Sequence, residues 1–458
     1  MDNSSPVQPA LVRAEIRVTS ALALIFASRM FGLFLLLPVF AVLGRDLPGS
    51  TPVLVGLAIG IYGLFQALFQ VPFGLLSDRF GRKPLIFAGL VLFVAGSLVA
   101  AWAETIHGVI VGRALQGSGA IASVVMALAA DVVSEKHRTR VMAVLGASVG
   151  GSFVLALILG PVLGGVMGLS GLFYLCAVLA MAGLAVAALM VPTPRVQAPR
   201  DQLPRGQRLA RVLGNPVLLR LDFGILVLHM VLTAVFVVIP LLLTERLGMA
   251  MEQHSLLYLG VLVAGFLAMV PLILLSERRG IRPIKLAAIL VLALSLVLLA
   301  LAGDALWHFV LALFLFFFAF NLLEAFLPSM VGRAAPAGTR GTSLGIYSSC
   351  QFAGVFLGGL VGGVLMEHAG PAMVFWLAAG AVVAWFLAVV AMKELPRLDN
   401  RVLSLDAGDG DDTGEWSRRL LAVEGVLEAV VVREQGIALL KVDPASLDEE
   451  ELARLGSE

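Results

Sequence analysis

The sequence predicts an all-α membrane protein of twelve transmembrane helices, built as two six-helix repeats in parallel orientation and followed by a small α+β domain. Three observations support this prediction. Hydrophobic residues make up 59% of the 458 residues and charged residues only 14%, against roughly a quarter charged in soluble domains. The apolar residues form blocks of about 20 to 25, the length a helix needs to cross a bilayer. A charged segment near residue 80 also recurs near residue 279.

Twelve apolar blocks are each long enough to span the hydrocarbon core. Together they predict an N-terminal bundle at 1–191, a linker at 192–218, a second bundle at 219–393 and a soluble domain at 397–458. Cys176 and Cys350 fall inside spans, so we interpret them as apolar core residues. The spans are predicted near residues 18–43, 53–76, 84–102, 107–131, 141–168, 171–191, 219–244, 255–276, 284–303, 306–330, 342–366 and 371–392.

The repeat is indicated by three landmarks at one fixed offset of 199 residues. The segment 77–84 aligns with 276–283, Gly146 with Gly345, and Gly160 with Gly359. A constant offset indicates two tandem copies of one unit. Because the offset is direct and each copy holds an even number of spans, the copies lie parallel in the membrane.

Basic residues predict the orientation. Apart from Arg45 and Arg246, the lysines and arginines of the first 392 residues that lie outside the spans fall in the N-terminal tail and the even-numbered loops. This positive-inside bias places both termini in the cytoplasm. The linker is rich in proline and arginine, and its stretch 203–213 is expected either to lie on the membrane surface or to act as a solvated tether.

The residues after 397 have soluble patterning. They predict the order βαββα, a ferredoxin-like fold without its last strand, with elements at 401–405, 413–423, 427–434, 437–443 and 447–455. The segment 425–443 resembles heavy-metal-associated domains, whose first loop binds metal through two cysteines. Here that loop, 406–412, is acidic and has no thiol. We therefore expect a solvated loop, with a weak hard-cation site as the alternative and no soft metal. The domain is expected to dock on the cytoplasmic face, with the loop near the basic segments 138–140 and 195–211.

The loop from Gly74 to Lys83 reads G-L-L-S-D-R-F-G-R-K. This pattern resembles the signature loop of the major facilitator superfamily, whose members are secondary transporters that work by alternating access. The resemblance implies a conformational latch in which Arg82 pairs with Asp131 at the end of the fourth span. Ordinary positive-inside charges explain Arg79 and Lys83 but leave the patterned glycines and acid unexplained. The predicted latch residues are Gly74, Asp78, Gly81, Arg82, Lys83 and Asp131.

Two further patterns resemble motifs of the same family. The fourth span contains Arg113 and Gln116 in R-A-L-Q-G-S-G, and the fifth span has the glycine spacing of antiporters. Small residues let helices pack backbone to backbone, and a proline loosens the helix. Glycine-rich packing is also common in uptake transporters, so uptake stays open. The antiporter-motif residues are Gly151, Gly160, Pro161, Gly164 and Gly165.

The charged or titratable groups well inside the spans are Arg29, Arg113, His229 and Glu324, on spans that line the central cavity in the family. Asn321 lies one helical turn before Glu324. A glutamate in a low-dielectric setting takes up and releases a proton near neutral pH, so Glu324 is the first candidate for proton coupling and His229 the second. The alternative is a structural ion pair of Glu324 with Arg29 or Arg113.

Other classes of function have weaker support in the sequence. The G-A-S-V-G of residues 146–150 matches a hydrolase signature but begins a long apolar helix, so no enzyme is predicted. No ATP-binding motif and no nucleic-acid patch occur, and we predict no cofactor. We predict a monomeric transporter in the bacterial inner membrane that exports hydrophobic or amphipathic molecules, as in multidrug efflux, driven by protons. The alternatives are uptake or facilitated transport of a metabolite, and a membrane sensor acting through the soluble domain.

Overall fold

The computed structural model describes residues 9–133, 135–192, 205–394, 398–405, 413–432 and 436–455. Within these residues, eleven helical segments are long and apolar enough to cross a membrane. One of them, α7 (Glu135–Met190), contains Gly168 with a φ of 65°, and this residue divides it into two helices. The eleven segments therefore account for all twelve predicted spans, and the predicted helical membrane fold is confirmed.

The N-terminal bundle departs from the predicted spans at two places. The first span ends in a turn at 36–39 and a five-residue helix. The fourth span consists of two helices, because the chain leaves helical geometry at Gly119 (φ −78°, ψ 55°). The elements before α7 are α1 (Pro9–Leu35), α2 (Phe40–Gly44), α3 (Pro52–Phe80), α4 (Arg82–Trp102), α5 (Ile106–Ser118) and α6 (Ala122–Val132).

The C-terminal bundle follows a short linker helix, α8 (Arg205–Leu213), whose Val212 is buried against the bundle. Asn215 caps the next helix, since its side chain accepts from the backbone N–H groups of Val217 and Leu218. The bundle consists of α9 (Pro216–Leu241), a π-helical turn (Leu242–Arg246), α10 (Met251–Arg279), α11 (Ile281–Ala300), α12 (Leu306–Ala334), α13 (Arg340–His368) and α14 (Pro371–Val390).

The two bundles repeat backbone geometry as well as sequence. Gly81 and Gly280, which lie 199 residues apart, have φ values of 94° and 83°. Gly49 and Gly248, at the same offset, have φ values of 77° and 64°. This left-handed region strongly favours glycine. The helices α3 and α10 also begin and end at that offset, which supports a duplicated six-helix unit.

The two bundles touch tightly at one end. A Cβ atom on Gly56, Gly60 or Gly63 of α3 would clash with the backbone of α13, so these two helices pack backbone to backbone. The side chain of Met251 on α10 reaches Gly164 of α7 in the same region. We call this the closed end; it includes the start of α3 and the end of α13.

The same helices separate toward their other ends. Between α3 and α13, the hydrogen bonds of the described residues stop at Ser349, whose hydroxyl donates to the Ala67 carbonyl at 3.5 Å. Nearer the start of α13, a Cβ on Gly345 would meet no atom within 4 Å, and one on Gly74 would meet only Ser123 of its own bundle. We call this the open end.

The soluble domain has the predicted βαββα order. Its three antiparallel strands lie in the order β1-β3-β2, with a bulge between Val426 and Glu428. Trp416 and Leu420 of its first helix pack on the sheet. The elements are β1 (Asp399–Ser404), α15 (Thr413–Ala422), β2 (Val426–Val432), β3 (Ile437–Val442) and α16 (Glu449–Leu455).

The sheet of this domain contacts the loop between α12 and α13. Lys441 donates through Nζ to the carbonyl of Ala335 at 2.9 Å, and the backbone N–H of Ala337 donates to Glu428 Oε2 at 2.8 Å. Burial lowers the pKa of Lys441, and the nearby Glu428 carboxylate opposes that shift. The acidic loop 406–412, which we expected to lie near residues 138–140 and 195–211, is outside the described residues.

Candidate functional site

Arg29 is buried in the N-terminal bundle, with 1% of its surface exposed. Its Nη2 donates to Gln66 Oε1 at 2.6 Å, and Gln66 donates onward to Gln70 Oε1 at 2.9 Å. The guanidinium also lies over the Phe93 ring, 5.9 Å from its centre. Its Nε and Nη1 have no hydrogen-bond partner in the part of the chain that the structure describes. Arg29 therefore keeps unused donors inside the protein.

Arg113, by contrast, is fully engaged. Its Nε donates to the Ala58 carbonyl at 3.2 Å, its Nη2 to the Ile59 carbonyl at 3.4 Å and its Nη1 to Gln116 Oε1 at 3.0 Å. The ring of Tyr62 lies under the guanidinium at 5.0 Å. These contacts tie α5 to α3 within one bundle, which is how this buried charge is compensated.

Glu324 lies on α12, and its side chain is 36% exposed. Among the described residues its Oε2 has no hydrogen-bond partner, and His229 Nε2, which is cationic only when protonated, lies 4.0 Å away. His229 Nε2 lies 2.8 Å from Gln351 Nε2. Among the described contacts, Glu324 pairs with neither Arg29 nor Arg113, so the alternative ion pair is absent in this conformation. Asn321, one turn earlier on α12, is half-buried.

Phenylalanine rings from both bundles meet next to this group. The ring of Phe153 on α7 lies 6.5 Å from Phe317 and 6.0 Å from Phe320, both on α12. Arg246, at the closed end, bonds to Asp304 just before α12, so α12 starts at that end. The rings therefore separate Glu324 from the closed end. This aromatic layer comprises Phe34, Phe153, Phe236, Phe317 and Phe320.

Several polar groups near these residues were missed from the sequence. Gln66 with Gln70 on α3, and Tyr347 with Gln351 on α13, recur at helical spacing of four residues inside apolar blocks. That four-residue spacing of polar side chains was the signal in the sequence that could have identified them. Asp222 was overlooked because it lies just three residues inside the predicted seventh span, although the structure buries it to 5% exposure.

The predicted latch residues lie together within the N-terminal bundle. Arg82 donates through Nε to Asp131 Oδ2 at 3.0 Å and through Nη1 to Ser77 Oγ at 2.6 Å, and it also pairs with Asp78. Lys83 donates to the Val191 carbonyl at 2.7 Å. Gly81 provides the positive φ of the turn, and Gly74 faces Ser123. The loop thus joins α3, α4, α6 and the end of α7.

The predicted antiporter-motif residues lie along α7, and those later in the helix are nearer to the closed end. A Cβ on Gly151 would meet no atom within 4 Å. One on Gly160 would clash with the Leu35 carbonyl, and one on Gly165 would clash with the Glu252 side chain of α10. Pro161 lies inside the helix between them. These small residues allow α7 to approach both α1 and the opposite bundle.

The described residues contain no cluster of three metal-ligating side chains. In the hydrolase-like pattern 146–150, Ser148 lies within α7, and its hydroxyl donates to the Leu145 carbonyl at 2.7 Å. A serine within a helix commonly donates to a backbone carbonyl of the preceding turn in this way.

A family model described as Major Facilitator Superfamily matches residues 22–358 and 221–408. The chain is 40% identical to the inner membrane transport protein YajR of Escherichia coli strain K12 over 94% of both chains. It is also 34% identical, over 30% of its length and 34% of that protein, to the class B tetracycline resistance protein of Escherichia coli.

Solved transporter structures share the fold. The human organic anion transporter MFSD10 aligns with a TM-score of 0.58 and 21% identity, over 82% of this chain and 99% of that one. The nucleoside transporter NupG aligns with a TM-score of 0.66 and 13% identity, over 83% and 100%. At these identities the likeness concerns the fold alone.

Proposed function

The chain belongs to the major facilitator superfamily and is a membrane transporter, and from this premise we propose that it exports hydrophobic or amphipathic small molecules in exchange for protons. We further propose that it lies in the cytoplasmic membrane of a bacterium with both termini in the cytoplasm. The open end then faces the cytoplasm and the closed end the periplasm.

One observation carries the proposal: Glu324 is a carboxyl group without a firm partner at the level where the bundles separate. Its Oε2 is buried and unbonded, and none of the described arginines forms an ion pair with it. An ionised carboxylate in such surroundings is costly, whereas the protonated acid is not. A conformational change that alters the surroundings of this carboxyl therefore changes its proton affinity. That is the requirement for coupling proton movement to alternating access.

Export is supported by two further features. A relative over about a third of the chain is a tetracycline resistance protein, and the glycine pattern of α7 is that of antiporters. The aromatic layer next to Glu324 presents flat apolar surfaces, which suit hydrophobic or amphipathic molecules.

The latch fits the same cycle. On the proposed orientation it lies at the cytoplasmic end, which is open here, and its bonds remain within the N-terminal bundle. We propose that the same loop contacts the start of α13 when the cytoplasmic end closes, while Arg82 and Asp131 hold its shape. The contacts at the closed end then have to break.

The test is transport in proteoliposomes with an imposed pH gradient. Fluorescent hydrophobic compounds are screened for gradient-driven movement, and a pH-sensitive dye follows protons. Glu324→Gln is expected to abolish gradient-driven movement while retaining compound binding, because the amide keeps the shape but cannot exchange a proton. Asp304→Asn removes an exposed carboxyl of the same bundle and serves as the matched control.

Gradient-driven transport by Glu324→Gln at the wild-type rate would overturn the role of this carboxyl. Movement of a compound in the same direction as protons would instead identify uptake. If no compound crosses although binding changes the position of the soluble domain, the sensor alternative is favoured.

A further inference from the structure

A second carboxyl group, Asp222 on α9, is buried without any compensation. Its exposure is 5%, and neither carboxylate oxygen has a hydrogen-bond partner among the described residues. The Tyr347 hydroxyl on α13 is likewise buried and unbonded. With Glu324 Oε2, three neighbouring side chains of the C-terminal bundle leave polar atoms unsatisfied. Native proteins rarely leave such atoms unpaired, so this group requires an explanation.

The three side chains form a series along the bundle. Asp222 lies two helical turns before His229 on α9, and Tyr347 lies one turn before Gln351 on α13. Both helices start at the open end, so Asp222 and Tyr347 are nearer to it than the contact between His229 and Gln351. Tyr347 is close enough to interact electrostatically with both Asp222 and Glu324. The tyrosine is therefore near both acids, although among the described residues its hydroxyl has no hydrogen-bond partner.

Among the described residues, no cationic side chain forms an ion pair with Asp222. The helix α13 brings the thiol of Cys350 and the hydroxyl of Tyr347 toward it. From α14, the Trp385 ring packs on Gly224. The linker helix α8 carries Arg208 and Arg211, but among the described contacts neither forms an ion pair with Asp222. An ionised carboxylate here would cost several kcal/mol, an order-of-magnitude figure for an unpaired buried charge.

We propose that Asp222 is a second proton-carrying group, placed between the open end and Glu324. The Asp222 carboxylate takes a proton from water at the open end. When the Glu324 carboxylate is ionised, the Asp222 acid releases this proton and Glu324 takes one up. The net change is one proton, and the negative charge passes from Glu324 to Asp222. This inference rests on the proposed proton coupling at Glu324.

Infrared difference spectroscopy tests it without any transported compound. The purified full-length protein in lipid is titrated from acid to alkaline pH, and the carbonyl stretch of protonated carboxyl groups is recorded. Wild type is expected to lose two such components at neutral to alkaline pH. Asp222→Asn removes one of them, Glu324→Gln removes the other, and Asp304→Asn removes neither. Asp222→Glu is expected to keep two components, one of them at a shifted frequency, which would show that the protein still folds when residue 222 is changed.

Tyr347→Phe is expected to leave both components, because among the described residues the tyrosine hydroxyl bonds to neither carboxyl group. If Asp222→Asn leaves the wild-type spectrum unchanged, Asp222 holds no proton and the inference fails. In that case, a component lost in Glu324→Gln still supports the proposed role of Glu324 in proton coupling. A component that disappears at constant pH when sodium chloride replaces choline chloride identifies a sodium site and also overturns the inference.

Discussion

The two buried arginines show how differently one residue type can be accommodated. Arg113 places three donors on carbonyl and amide oxygens and stacks on Tyr62. Arg29 has a single described hydrogen bond, to Gln66, and two unbonded nitrogens. A buried charge with full compensation supports the structure, whereas one with spare donors costs stability and is retained for another reason. Arg29 is therefore the arginine that we assign to substrate or conformational change.

Replacing each arginine by methionine separates these roles. Arg113→Met is expected to lower the free energy of unfolding by about 1–3 kcal/mol, because Gln116 and two carbonyls lose a donor. Arg29→Met is expected to leave the free energy of unfolding unchanged or to raise it, and to impair transport. Thermal unfolding in detergent, followed by intrinsic fluorescence, gives the comparison. A larger destabilisation by Arg29→Met than by Arg113→Met would contradict the assignment.

At the scale of elements, the latch connects four helices of one bundle. Arg82 reaches Asp131 at the end of α6, while Lys83 bonds to the end of α7. Because these bonds fix the helix ends relative to each other, the bundle is expected to move as one body when the two halves rock.

A double-mutant cycle tests the latch. Arg82→Ala and Asp131→Ala are each expected to reduce transport, and the double variant should be little worse than either single one, because both remove the same contact. Arg79→Ala, an exposed arginine of the same loop, is the control and should act independently. Additive losses for Arg82 and Asp131 would show that they do not work as a pair.

The helices and strands were largely predictable from the sequence, whereas the contacts between side chains were not. Apolar block length locates the spans, and the positive-φ glycines at 81 and 280 follow from the repeat. The break at Gly119 was missed, because a glycine there is equally compatible with close helix packing. The surroundings of Glu324 depend on side chains from three helices distant in sequence, and local pattern carries no information about their distances.

At the scale of the whole molecule, two polar contacts across the closed end both use acids of one bundle. Glu245 pairs with Arg45, and Glu367 Oε2 accepts from the Val53 backbone N–H at 3.0 Å. Both acids belong to the C-terminal bundle, and both partners to the N-terminal one. Neutralising these acids removes attraction between the bundles without affecting either bundle internally.

The variant Glu245→Gln with Glu367→Gln is therefore expected to open this end more often. The exposed ion pair of Glu245 with Arg45 contributes about 0.2–1 kcal/mol, which is at most about a fivefold change in population, and weakening the hydrogen bond to Glu367 acts in the same direction. Spin labels on cysteines at Glu104 and Ala369, in a background without Cys176 and Cys350, would report a longer distance. Asp304→Asn breaks a pair within one bundle and should leave the distance unchanged; a lengthening there too would refute the mechanism.

The contact between the soluble domain and the transporter has a consequence for evolution. Lys441 and Glu428 recognise a carbonyl and an N–H group of residues 335–337, and no side chain of that loop takes part in these two bonds. Every amino acid supplies the carbonyl, and every one but proline supplies the N–H. The loop can therefore change its sequence without losing the domain. Among homologues, we expect selection on this interface to act on the domain side, at Lys441 and Glu428, and on the length and shape of the loop.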